Sequence, residues 1–181
     1  TLARCNVGHL CSDFLDLNVH VNENKETVIA FHDKKHLCVL YVKGEDDCRL
    51  FHHDISAMDS PKIIGFLKDG EWIVMMSDSV QQENGREERY NNVTAYEIST
   101  MKNKGGMRHR ATSRSAFQPV VSSASGYDIL ISSSSNFISV CDFSQDKMKF
   151  ENIQLFNQWG RWGTYALHIS KDEKTFWAIG G

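Results

Sequence analysis

The chain has 181 residues, with 20 Lys and Arg against 23 Asp and Glu, a formal charge of −3 and 41% hydrophobic residues. That length can bury a sizeable core in one large or two small domains, and the slight acidity excludes a globally basic nucleic-acid wrapper. An aromatic content of 10% is too high for a disordered chain, and no apolar run nears the roughly 18–20 residues of a membrane helix.

In chain order, Leu15-Asp16-Leu17-Asn18-Val19-His20-Val21 alternates apolar and polar side chains, the pattern of a strand with one buried face. Short apolar runs follow at 27–31, 36–42, 62–67, 71–76, 93–98, 127–131, 137–143, 165–169 and 175–179. They are rich in β-branched and aromatic residues and bounded by Gly, Asn, Asp, Ser or Lys. No stretch of a dozen residues has helical spacing, so the chain is expected to be all-β. Val19, Ile29, Ile64, Val74, Ile129, Leu130, Leu167 and Trp177 are expected in the core.

Four turns resemble one another: 22–25 (NENK), 68–71 (KDGE), 124–127 (ASGY) and 171–174 (KDEK). Each follows a strand and leads into another apolar run, as a hairpin does. Asn24, Gly70, Gly126 and Glu173 lie 46, 56 and 47 residues apart. The longer middle interval carries two polar insertions, around 80–92 and 100–115. A four-strand unit recurring at this period is the mark of propeller blades in sequence; a sandwich or barrel with similar hairpins is the alternative.

The segments KIIGFLKDGEWIVMMSDS with NNVTAYEIST, and PVVSSASGYDILISSSSNFISVCDFS, resemble blades of WD-repeat propellers. Tyr96-Glu97 and Cys141-Asp142 fall where that family places its Trp-Asp pair, and Gly8-His9 falls near its Gly-His position. The resemblance implies a WD-repeat-like β-propeller in one domain over 1–181, with units at about 8–55, 60–112, 116–158 and 159–181. Roughly three and a half blades are visible. The propeller is therefore expected to be partial, completed by further sequence or by a partner, and a chain beginning at Thr1 without Met fits an excised fragment.

Five cysteines, an odd number, read as reduced and mostly buried thiols of an intracellular protein, nuclear or cytoplasmic. The sequon Asn92-Val93-Thr94 matters only outside such a compartment. Cys5, His9 and Cys11, and His32, His36 and Cys38, form two clusters, but neither completes the paired spacing of a zinc site, so no metal is expected. His52-His53-Asp54 lies on a strand where neighbours point to opposite faces. There is no G-x-S-x-G, no phosphate-cradling Gly-rich loop and no paired-carboxylate signature, so neither a catalytic residue nor a cofactor is assigned.

The segment 101–115 carries Lys102, Lys104, Arg108, Arg110 and Arg114 without an acidic residue. It is expected to be irregular, with Gly105-Gly106 as a loop tip, and to be either a solvated loop or a contact for RNA, DNA or an acidic protein surface. The insertion at 80–92 mixes both signs and is expected to be an ordinary exposed insertion. Trp159, Arg161 and Trp162 precede a strand, where an aromatic–Arg group makes a partner-binding anchor. The function expected by fold analogy is a non-enzymatic protein–protein interaction scaffold. Its rivals are a nucleic-acid-contacting subunit using 101–115 and, more weakly, a hydrolase with a site over a central channel.

Overall fold

The computed structural model describes residues 14–44, 47–111, 118–124, 127–134, 137–145, 148–154, 164–169 and 175–180. These form three four-stranded antiparallel sheets and one two-stranded sheet. The first sheet runs β1 (Asp16–Val21), β2 (Thr27–His32), β3 (His36–Lys43), β4 (Asp47–Asp54). The second runs β5 (Asp59–Leu67), β6 (Trp72–Glu83), β7 (Arg86–Glu97), β8 (Asn103–Arg110). The third runs β9 (Gln118–Ala124), β10 (Tyr127–Ser134), β11 (Phe137–Asp142), β12 (Lys149–Gln154). The last pairs β13 (Thr164–Ile169) with β14 (Phe176–Gly180). In every sheet the spatial order follows the chain order. Among the described residues the helical content is one 3-10 turn at Lys68–Gly70, and no helix is long and apolar enough to cross a membrane.

The sheets stack through their first strands: β5 lies beside β1, β9 beside β5 and β13 beside β9. One core, between the first and second sheets, buries Val28, Ala30, Leu37 and Val39 against Ile63, Phe66, Ile73 and Met75. A second, between the second and third, buries Val74, Val93, Ala95 and Met107 with Leu130, Cys141 and Phe143. Neighbouring residues of β6 thus serve opposite cores, Ile73 the first and Val74 the second, as the alternation of a strand covered on both faces requires. Gly65 meets the Val121 side chain where a Cβ would stand, so β5 and β9 approach closely there.

Turns from one sheet are tied to the next by carboxylates. Asp69 accepts the Glu23 backbone N–H on both oxygens (3.1 and 2.9 Å) and lies 3.3 Å from His20 Nε2. One sheet further on, Asp128 accepts the Lys68 backbone N–H and pairs with Lys68 Nζ at 3.2 Å. Asp69 takes a left-handed backbone (φ 51°). Gly70 is also left-handed (φ 89°), and a Cβ there would stand 3.0 Å from Val28, so both conformation and space favour glycine.

Several expectations are corrected. Val74 and Leu130 are buried, but Ile29, Ile64 and Ile129 are half-buried and Val19 is exposed; the side chains of Leu167 and Trp177 lie outside the described residues. On β1 the polar face is the inner one. Asp16 accepts the Ile63 N–H (2.8 Å) and Asn18 Nδ2 donates to the Ile64 carbonyl (3.4 Å), so the polar residues serve the main chain of β5 and the apolar ones face outward. The 80–92 insertion is a mostly exposed hairpin: β6 and β7 run on and are closed by Asn84-Gly85, both with positive φ (52° and 76°), the conformation of a type I′ turn. The segment 101–115 is not irregular throughout, since Asn103–Arg110 is β8, the fourth strand of its sheet. Gly105 and Gly106 lie inside that strand, where a Cβ on Gly106 would run into the main chain of Val93 and Thr94.

Candidate functional site

A cleft of about 400 Å³ opens at one end of the seam between the first and second sheets. Its position follows from the meander: the turns β1–β2, β5–β6 and β7–β8 all come to that end. Tyr41 on β3 and Phe51 on β4 form its aromatic side, edge to face at 5.7 Å. The Tyr41 hydroxyl donates to the Gly70 carbonyl at 2.6 Å. Burial chiefly pushes Tyr41 up to about 12, with the Glu71 and Glu26 charges adding and Arg49 opposing, so it stays a protonated donor across the physiological range.

Around these rings stand Glu26, Asp69, Glu71 and Glu97, facing a single cation of the lining, Arg49. Arg49 Nη2 lies 3.3 and 3.4 Å from the two Glu26 oxygens, and the guanidinium sits 4.9 Å over the Tyr41 ring. Glu97 is held below the usual carboxylate range, first by the Thr100 hydroxyl (2.6 Å) and then by Lys104 (3.1 Å). Asp69 is engaged at the Glu23 turn, whereas Glu71 is exposed and its side chain makes no hydrogen bond or ion pair among the described residues. A negatively charged cleft with an aromatic wall suits a cationic group, and Arg49 already shows how a guanidinium lies there.

Of the basic residues singled out from sequence, Lys104, Arg108 and Arg110 stand on β8, and each has a partner. Lys104 pairs with Glu97 and sits 5.1 Å over the Trp72 ring. Arg110 makes a bidentate pair with Glu88, its Nε at 2.7 Å from Oε2. Arg108 lies 3.7 Å over the Tyr90 ring, and Lys102 is exposed. Arg114, Trp159, Arg161 and Trp162 lie outside the described residues, as do Cys5, His9 and Cys11. His32 is buried with Nδ1 2.7 Å from the Asp33 carbonyl. His36 meets the Asp33 carboxylate at 3.3 Å, and Cys38 is buried against Phe31. Among the described residues no group of three His, Cys, Asp or Glu is placed to hold a metal ion. His52 stacks on His36, and His53 Nε2 lies 2.6 Å from the Ile98 carbonyl. Trp72 is half-buried and meets Phe143 edge-on at 5.9 Å.

Sequence reasoning passed over Glu26, Tyr41, Arg49, Phe51, Asp69 and Glu71. One signal was available: five of the cleft's acidic or amide positions, Asn22, Asn24, Glu26, Asp69 and Glu71, fall in or beside the repeating hairpin turns, which a meander gathers at one edge. Comparison of the chain with protein-family models, with curated proteins and with solved structures finds no match.

Proposed function

We propose that the chain is a portion of a WD-repeat-like β-propeller acting as a non-enzymatic interaction scaffold, an intracellular subunit of a multi-protein assembly. The observation that carries this reading is the seam cleft, with four carboxylates, two aromatic rings and one arginine at the edge where the hairpin turns gather. Such a cleft takes the lysine or arginine side chains of a partner's basic segment, with charge complementarity supplying selectivity. The regular stacking of four-stranded meanders, first strand on first strand, supports the propeller architecture. The thiols, Cys38 and Cys141 buried and Cys48 exposed, fit a reducing compartment.

The nucleic-acid alternative through 101–115 draws less support, because Glu88 and Glu97 on the neighbouring strand offset Arg110 and Lys104. Two titrations separate the readings. A fluorescent arginine-rich peptide is expected to bind saturably, to weaken with salt, and to lose affinity in Glu71→Lys, a change at an exposed carboxylate. Single-stranded RNA bound with a steep salt dependence, and released on neutralising Lys102, Lys104, Arg108, Arg110 and Arg114, would favour the alternative. Absence of peptide binding at low salt refutes docking at this cleft.

A further inference from the structure

The cleft at the first seam already holds one cation, and that cation belongs to the chain itself. Arg49 lies directly opposite Tyr41 across the β3–β4 pair, and its guanidinium folds back over the Tyr41 ring at 4.9 Å. From there Nη2 reaches both oxygens of Glu26, at 3.3 and 3.4 Å. A carboxylate beside an aromatic face suits a planar guanidinium, which stacks and donates at once. An ammonium in the same place keeps the charge but lacks the plane that stacks and the fork that reaches two oxygens.

The partners in this contact are held unequally. The Glu26 side chain is 16% exposed. Its carboxylate accepts Asn22 Nδ2 at 2.9 Å, and its backbone N–H donates to Asn22 Oδ1 at 2.8 Å. Tyr41 is buried and tied to the Gly70 carbonyl. Arg49 is loose by comparison. Its side chain is 58% exposed, and it reaches Glu26 through one nitrogen, farther than a usual N–H···O bond. Its Nε and Nη1 make no hydrogen bond among the described residues. An ion pair this exposed adds little to stability. β4 is also the outermost strand of its sheet and exposed along most of its length, so the side chain is free to swing into solvent. The receiving half of the contact is fixed, and the half that fills it is not.

We propose that Arg49 is an internal occupant of the partner's place: an arginine of the docking segment takes the position between Glu26 and the Tyr41 ring, and Arg49 is released to solvent. This rests on the seam cleft being the docking site. It adds that the residue selected is arginine rather than lysine, and that the unliganded chain partly blocks its own site. A place filled from within lowers apparent affinity in proportion to its occupancy, so emptying it tightens binding without any new contact.

Fluorescence anisotropy with the 181-residue chain tests it, using labelled oligoarginine and oligolysine peptides of equal length at low salt. The parent is expected to bind oligoarginine severalfold more tightly than oligolysine. Arg49→Gln empties the place and is expected to tighten oligoarginine by about three- to tenfold. Arg49→Lys keeps the charge but loses the stacking plane, so it is expected to fall between the two. Arginine-labelled protein gives a direct reading by magnetic resonance. The Arg49 Nε–H signal, displaced by the Tyr41 ring in the free chain, is expected to move to its solvent position as peptide saturates the cleft. Position 49 is exposed, so both variants are expected to melt with the parent. Four results would each overturn the proposal and leave docking at the cleft standing: Arg49→Gln no tighter than the parent, Arg49→Lys indistinguishable from it, equal affinity for the two peptides, or an Arg49 signal unmoved at saturation. Absence of oligoarginine binding to the parent and to Arg49→Gln alike refutes the docking reading itself, and this proposal with it.

Discussion

Tyr41 ties the first sheet to the turn of the second with one hydroxyl, donated to the Gly70 carbonyl inside a buried seam. Tyr41→Phe keeps the ring and removes that bond, leaving the carbonyl without it. The expected cost is about 1 kcal/mol, or a melting temperature lower by about 2–4 °C for a chain of this size. Asp69→Ala is expected to cost slightly more, about 1–2 kcal/mol, because it frees the Glu23 N–H and the His20 ring together, discounted for the exposure of the carboxylate. His109 on β8 adds a pH dependence. Burial lowers its pKa from 6.5, so as the pH falls the unfolded chain takes up the proton first. Stability is therefore expected to decline below about pH 6.5 and to level off under the folded value. His109→Gln, followed by thermal melts from pH 7.5 to 5, is expected to remove part of that slope; a slope that stays the same would assign the effect elsewhere.

At the scale of the element, β8 shows what charge patterning conceals. Read along the chain, Asn103–Arg110 is a run of like charges with two glycines, which on its own could not hold itself in order. Read across the sheet, those charges meet Glu97 and Glu88 on β7, Arg108 lies on Tyr90, and Met107 enters the second core. The glycines fit where β8 presses on Val93 and Thr94. Glu88 lies 22 residues from Arg110, and Tyr90 lies 18 from Arg108 (108−90), so a window along the sequence misses them. For the same reason β12 is not legible as a strand, and β4, exposed along most of its length, is legible only at His52-His53-Asp54. By contrast, β2, β3, β6 and β10 were legible because burial on both faces leaves a near-continuous apolar run. Replacing Asn103–Arg110 by a Gly/Ser linker of equal length is expected to lower the melting temperature by several degrees, and Gly106→Val to do much the same through its clash with the Val93 backbone. A melt unchanged by either would make this strand dispensable.

Over the whole molecule, legibility follows the same divide. The repeat of hairpin turns carries the stack of sheets, while the seam cleft and the outward apolar face of β1 arise only once sheets are laid together, and β1 was misread because its alternation does not say which face is inward. The stack also sets how the molecule comes apart. Among the described strands the main contacts between sheets run between neighbours, so stability is a sum of sheet terms and seam terms and is lost locally where one seam is loosened. β6 tests this with two adjacent residues. Ile73 is fully buried in the seam with the first sheet, and Val74 is fully buried in the seam with the third. Ile73→Ala deletes three carbons at the first seam, a change that costs about 2–5 kcal/mol in a packed core. Val74→Ala deletes two at the second, about 1.6 kcal/mol by transfer alone and more with the cavity left behind. Native-state hydrogen exchange reads the consequence by element. Ile73→Ala is expected to speed exchange in β1 to β4 while β9 to β12 keep their protection, and Val74→Ala to do the reverse, although the two side chains are neighbours on one strand. Equal loss across all three four-stranded sheets in both variants would instead mean that the stack opens as one cooperative unit, with no seam weaker than the sheets it joins.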